Sequence, residues 1–174
     1  MKEAISKDIV KAIREALKLE VNGKEFFKRA EELTKNELGK KMFRRLANDE
    51  IRHFSTFSEL FTEVLGGEDW KGYIEEKDLK EDARVIEELV QRMKREESAS
   101  EIEGIRIGME LEKKAIEFFE KSAKQVNDPK AKEIFERICD EERFHYDLLQ
   151  AQLDSLTNSG FWLDSSEFRM DGKY

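Results

Sequence analysis

The stretch Leu46-Ala47-Asn48-Asp49-Glu50-Ile51-Arg52-His53-Phe54 decides how this chain is read. It contains one of the chain's two histidines, three residues after a glutamate, and the same Glu-x-x-His spacing returns 92 residues later at Glu142 and His145. On a helix, positions i and i+3 share a face, so a carboxylate and an imidazole at this spacing are able to hold one metal ion. A lone pair of this kind in a charged helix is usually accidental. Two pairs that use every histidine, in register with a wider repeat, are not.

Both pairs sit on helical stripes. Around the first, Phe43, Leu46, Glu50, His53, Phe57, Leu60 or Phe61, and Val64 share one face, with Asn36 as N-cap and Gly66-Gly67 as terminator. Upstream, residues 5–33 carry Ile9, Ile13, Ala16, Glu20, Gly23, Phe27 and Ala30 at alternating steps of four and three, the spacing of a helix packed in a bundle. Glu20 stands where that pattern asks for leucine. A third helix is predicted from a capping box at Ser98-Ala99-Ser100-Glu101 to about Val126, with Ile105, Gly108, Glu112, Ala115, Phe119 and Ser122 on its stripe. Asn127-Asp128-Pro129 turns the chain and starts a fourth, with Phe135, Ile138, Glu142, His145 and Leu149 on one face, fading after Leu156.

Laying residues 19–57 on residues 111–149 without a gap gives ten identities in 39 positions. They are Leu19/Leu111, Glu20/Glu112, Glu25/Glu117, Phe26/Phe118, Phe27/Phe119, Lys40/Lys132, Phe43/Phe135, Arg45/Arg137, Glu50/Glu142 and His53/His145. Unrelated helices of this composition would match at roughly two to four positions. The chain thus reads as two copies of one helical hairpin. Residues 66–98 form the crossover between them, with Trp70, Tyr73 and a short helix over about Leu79–Met93 whose apolar side is Val85, Ile86, Leu89, Val90 and Met93. The midpoint of 20 and 50 is 35, beside Asn36, and the midpoint of 112 and 142 is Asn127. Each pair is therefore level in its antiparallel hairpin, ~22 Å from the turn at ~1.5 Å per residue. Packing the hairpins about a pseudo-two-fold axis brings all six polar residues to one layer.

Composition narrows the setting. The 174 residues suit one domain, placed at 1–156, with a tail over 157–174 whose Phe161, Trp162 and Phe168 pack on the bundle or on a second subunit. One proline, nine glycines and 41% charged residues favour long helices over a many-turned β protein. A net charge of −8 argues against nucleic acid or an anionic membrane as a main partner. The sequence offers no apolar run of ~20 residues and no signal-like start, so a cytoplasmic location is expected. Cys139 is the only cysteine, which excludes an intrachain disulfide or a cysteine-rich metal site, and it reads as a core residue.

Four carboxylates buried together without compensation are prohibitive, since each buried ion costs several kcal/mol. No lysine or arginine lies on the stripes at that level. Two divalent ions would cancel the four charges, with one neutral imidazole for each. An oxygen-rich donor set of this kind suits iron or manganese, with zinc as an adventitious occupant. One glutamate from each of two helices and Glu-x-x-His from each of the other two is the arrangement known from di-iron and di-manganese carboxylate bundles.

The segments Leu19-Glu20-Val21-Asn22-Gly23-Lys24-Glu25-Phe26-Phe27 and Leu111-Glu112-Lys113-Lys114-Ala115-Ile116-Glu117-Phe118-Phe119, each followed by a Glu-x-x-His helix, resemble the rubrerythrin family of ferritin-like di-iron proteins. The resemblance covers about residues 5–155. It implies an all-α, ferritin-like antiparallel four-helix bundle. It also implies two iron ions held by Glu20, Glu50, His53, Glu112, Glu142 and His145, with Glu20 and Glu112 as terminal or bridging ligands and Glu50 and Glu142 as bridging ones. The implied activity is oxidoreduction of peroxide or dioxygen, with a homodimer as the expected assembly. Two departures qualify this. The sequence holds no four-cysteine rubredoxin segment, so the electron donor would be a separate, rubredoxin-type protein. The family's seventh carboxylate, one turn after the third-helix glutamate, is replaced by Ala115, whose repeat counterpart is Gly23, leaving a six-ligand set closer to that of bacterioferritin. Ferroxidase or iron-handling activity without a 24-subunit cage, and a metal-stabilised structural bundle, are the alternative readings.

Overall fold

The structure is a computed structural model that describes residues 7–67, 83–95 and 100–169. Five helices account for most of them: α1 (Lys7–Leu33), α2 (Glu37–Val64), α3 (Ala83–Arg95), α4 (Ser100–Gln125) and α5 (Pro129–Ser159), followed by a 3-10 turn at Ser165–Glu167. Among the described residues there is no strand. No described helix is long and apolar enough to cross a membrane. α1 packs along α2 and α4 along α5. The two hairpins join chiefly through α1 and α4, while α2 and α5 approach less closely, and α3 lies against both α1 and α4. This is the expected ferritin-like bundle of two repeated hairpins with a crossover helix.

The hairpin turns are built alike because the sequence repeats there in chemistry as well as identity. Asn36 caps α2, its side chain accepting from the backbone N–H groups of Leu38 and Gly39. Asp128, 92 residues on, caps α5 by accepting from Ala131 N–H, and Pro129 fills the first helical position, where no N–H partner is needed. Glu101, read above as half of a capping box, instead accepts from the N–H groups of Lys35 and Asn36 at 2.7 and 3.2 Å, which ties the first turn to α4. Ser98 and Ala99, like Trp70, Tyr73 and residues 79–82, lie outside the described residues.

Three further expectations need adjusting. α5 continues to Ser159 and stops at Gly160, which takes the left-handed conformation (φ 73°) that ends a helix without steric cost to glycine. Val85, predicted on the apolar side of the crossover helix, is 42% exposed, whereas Ile86, Val90 and Met93 are buried. Trp162 packs edge-on against Phe43 and Phe168 packs on the same core, but Phe161 is exposed. Gln152, fully buried on α5, exchanges two hydrogen bonds of 2.9 Å with the backbone of Leu163 and so holds this segment to the bundle.

The apolar interior is divided in two. One cluster contains Ile13, Leu17, Phe57, Leu60, Phe61, Phe119, Phe135 and Ile138; the other contains Phe26, Phe27, Met42, Phe43, Leu46, Ile105, Leu148 and Leu149. The repeat shows in the packing: Phe27 stacks on Phe43 at 6.4 Å, and Phe119 stacks on Phe135 at 6.2 Å. Each fully buried phenylalanine contributes on the order of 1.5–3 kcal/mol. Together the two clusters offset a polar layer between them that would not hold a bundle by itself.

Candidate metal centre

That layer contains all six residues predicted from the stripes. Glu20 from α1, Glu50 and His53 from α2, Glu112 from α4, and Glu142 and His145 from α5 are each at most 4% exposed. The i, i+3 spacing places each histidine beside its own glutamate, and hairpin symmetry brings α1 and α4 to the same height. Side-chain atoms of Glu20, Glu50, His53 and Glu142 lie within 4.8 Å of one another, as do those of Glu50, Glu112, Glu142 and His145. Glu50 and Glu142 belong to both groups, whereas Glu20 with His53 and Glu112 with His145 belong to one each. The site therefore has two halves with two shared carboxylates.

Both imidazoles turn Nδ1 inward. His53 Nδ1 is 3.0 Å from Glu142 and 3.4 Å from Glu20. His145 Nδ1 is 3.0 Å from Glu142, 3.4 Å from Glu112 and 3.5 Å from Glu50. The Nε2 atoms point outward and cross between helices: His53 reaches Glu141 on α5 at 2.7 Å, and His145 reaches Asp49 on α2 at 3.0 Å. Arg52 donates to both of these outer carboxylates, at 2.7 Å to Glu141 and 3.2 Å to Asp49. A carboxylate behind a ligating histidine fixes its tautomer and ring orientation, which leaves Nδ1 free as a donor to a metal.

Asp49 and Glu141 were not singled out from the sequence. A signal did exist, because they are repeat counterparts 92 residues apart and each precedes a stripe glutamate. They differ in identity and lie one residue off the core face, so neither the repeat identities nor the stripes mark them. Only the packed helices show that each serves the histidine of the opposite hairpin.

The electrostatics describe a site held together by protons when no metal is present. Burial, reinforced by the charges of Glu50 and Glu142, pushes the Glu20 carboxyl well above the usual carboxylate range, and burial with Glu142 and Glu50 does the same to Glu112. Burial alone would lower His53 and His145, but Glu142 and Glu20 around the first and Glu112 and Asp49 around the second leave both well above the ordinary imidazole value. Burial would raise Glu142, yet His53 and His145 draw it well below that of a free carboxyl. Glu141, against its own burial, is brought down to about 2 by His53 and Arg52.

The donor chemistry fits a metal pair. Glu20 Oε1 and Oε2, Glu50 Oε1, His53 Nδ1, Glu112 Oε1 and Glu142 Oε1 are buried without a well-aligned hydrogen bond, and the close contacts made by all but Glu20 Oε1 are the carboxylate–imidazole ones given above. Buried polar atoms so poorly satisfied in one layer are costly unless something else satisfies them. Gly23 on α1 makes room for the same layer, since a Cβ there would meet Glu50 Oε2 at 2.7 Å.

The rubrerythrin family model matches residues 11–153, which span all six residues and nearly all of the bundle. The chain belongs to the rubrerythrin family. Membership and the buried cluster together support a binuclear metal site. The fold is also similar to the solved structure of a hypothetical protein from Pyrococcus furiosus, with a TM-score of 0.63 and 22% identity over 86% of this chain and 90% of that one. At that identity the likeness bears on the fold alone. No significant match was found among curated proteins. Ala115 and its repeat counterpart Gly23 both adjoin the metal layer, lining one cavity with Glu50 and Glu112.

Proposed function

We propose that this rubrerythrin-family protein binds two iron ions and reduces peroxide or dioxygen with electrons from a separate one-electron donor protein. The observation that carries the reading is the set of six buried, inward-facing groups that divide into two halves sharing Glu50 and Glu142. Glu20 and His53 would complete one half, and Glu112 and His145 the other. Held side by side in these two halves, two redox metals would supply two electrons together to one oxidant, which O–O bond cleavage to the alcohol or water level consumes.

The residues' own contributions follow from their positions. Glu141 and Asp49, each accepting from an Nε2–H, hold the imidazoles in the tautomer with Nδ1 unprotonated when a metal is bound. Arg52 keeps both outer carboxylates ionised and in place. The cluster of Phe57, Phe119 and Phe135 on one side and the Phe27 and Phe43 pair on the other cover the layer with apolar surface. A low-dielectric surround strengthens each carboxylate–cation interaction.

Anaerobic titration with ferrous iron and elemental analysis should give two ions per chain, followed by peroxide oxidation of the loaded protein far faster than that of iron in buffer. Fewer than one ion per chain, or oxidation no faster than in buffer, would sink the proposal. A second reading draws on Ala115 and Gly23, which leave no seventh carboxylate to move with redox state. It makes the protein a ferroxidase that handles iron rather than cycling it. Under that reading, ferric iron leaves the site after one oxidation instead of being re-reduced in place by the donor.

A further inference from the structure

One cavity reaches the metal layer. It lies between α1 and α4, has a volume of about 280 Å³, and is bounded by α3 at Val85. Its walls are Leu19, Phe27, Val85, Leu111, Gly23 and Ala115, and its base includes Glu50 and Glu112. Three repeat pairs line it, Leu19/Leu111, Asn22/Lys114 and Gly23/Ala115, so it sits close to the pseudo-two-fold axis. The base breaks that symmetry, because Glu20 and Glu142 do not line it. The cavity therefore opens on the half of the site that contains Glu112 and His145.

Its size and lining specify a ligand. The volume is many times the ~10–15 Å³ that one water molecule needs, so hydrogen peroxide or dioxygen would leave most of it unfilled. The walls are apolar on both hairpins, while Glu15, Lys18, Asn22 and Lys114 supply the polar lining. A small pocket that combines apolar walls with polar groups binds a compact molecule with one apolar and one polar end. The two small residues that open it, Gly23 and Ala115, stand where a larger side chain would close the path to Glu50 and Glu112.

We propose that this cavity binds short organic hydroperoxides, with the alkyl group against Leu19, Leu111 and Val85 and the peroxy group at the Glu50–Glu112 base. The inference rests on the peroxide-reducing reading above and deepens it by naming the substrate class. In the balanced step, ROOH takes up two electrons from the external donor and two protons from solvent. The O–O bond breaks, and its oxygens leave as the alcohol ROH and as water.

The test uses the whole 174-residue chain, tert-butyl hydroperoxide and hydrogen peroxide as substrates, and tert-butanol as a redox-silent probe. Val85→Trp narrows the cavity from an exposed position that folding tolerates, and Ala115→Leu fills it from within. In the zinc-loaded wild type, tert-butanol should shift the methyl NMR signals of Leu19, Leu111 and Val85 saturably, and the Leu19 and Leu111 shifts should vanish in Val85→Trp. In the iron-loaded protein, kcat/KM for tert-butyl hydroperoxide should fall in Val85→Trp at least ten times as far as kcat/KM for hydrogen peroxide. Equal losses for the two peroxides, or no saturable shift in the wild type, would overturn the cavity assignment while leaving peroxide reduction intact. If the wild type reduces neither peroxide, the peroxide reading and this substrate class fail together, even where tert-butanol still binds.

Discussion

Gly23→Ala separates what the helix wants from what the metal layer wants. In the interior of α1, replacing glycine by alanine should stabilise the helix by about 0.8–1 kcal/mol. The new Cβ, however, would lie 2.7 Å from Glu50 Oε2, 3.1 Å from its Cδ and 3.3 Å from its Cγ. Restoring an ordinary 3.4 Å contact requires the carboxylate oxygen to retreat by 3.4 − 2.7 = 0.7 Å. In the metal-free protein Glu50 can do so, because it borders the cavity between α1 and α4 and no metal–ligand distance fixes it. A carboxylate shared between two ions does not, since metal–ligand distances tolerate only about ±0.2 Å. The expected signature is opposite signs: a metal-free melting temperature raised by about 2–4 °C and an affinity for both ions lowered at least ~10-fold. Calorimetry of the metal-free protein and chelator competition with zinc or anaerobic ferrous iron measure the two effects. Unchanged affinity for two ions in the variant would refute the assignment of Glu50 as a shared ligand beside Gly23.

The shared and single roles make a stoichiometric prediction. Glu20→Ala should leave about one tightly held ion per chain, and Glu142→Ala should leave none, as read by elemental analysis after dialysis. Equal stoichiometry in the two variants would contradict the two-halves arrangement. Asp49→Asn and Glu141→Gln should each weaken metal binding by about 10–100-fold without unfolding the protein, because they support the histidines from outside the cluster. The pH dependence has a definite sign. His53, His145, Glu20 and Glu112 are all raised in the folded protein, so they hold protons that the unfolded chain gives up above its ordinary values of 6.5 and 4.5. Their contribution to stability is complete at low pH and lost as pH rises through the folded values. Asp49 and Glu141 act oppositely, stabilising above the ordinary carboxylate range and losing that effect toward about pH 2 for Glu141. Denaturant titrations should therefore show the metal-free protein weakening above neutrality, while metal binding releases protons and tightens as pH rises. Metal-free stability that climbs steadily from pH 6 to 9 would contradict this charge arrangement.

The sequence by itself determined a great deal here, because its informative features are local or periodic. Helical period placed Glu20, Glu50, His53, Glu112, Glu142 and His145 on core stripes, and the i, i+3 spacing paired each histidine with a glutamate. The 92-residue repeat and the hairpin midpoints put all six at one height, which needs only the fixed rise of a helix. What the sequence left open depended on the rotation and closeness of helices around one another. That is why the partnerships of His53 with Glu141 and His145 with Asp49 came into view only with the packed bundle, across α2 and α5. The same holds for the clearance of Gly23 beside Glu50 and the exposure of Val85 over a cavity on one side of the site. Stripe and spacing say which residues face inward. Only the packing of α1 against α4, and the wider separation of α2 from α5, decides which of them meet.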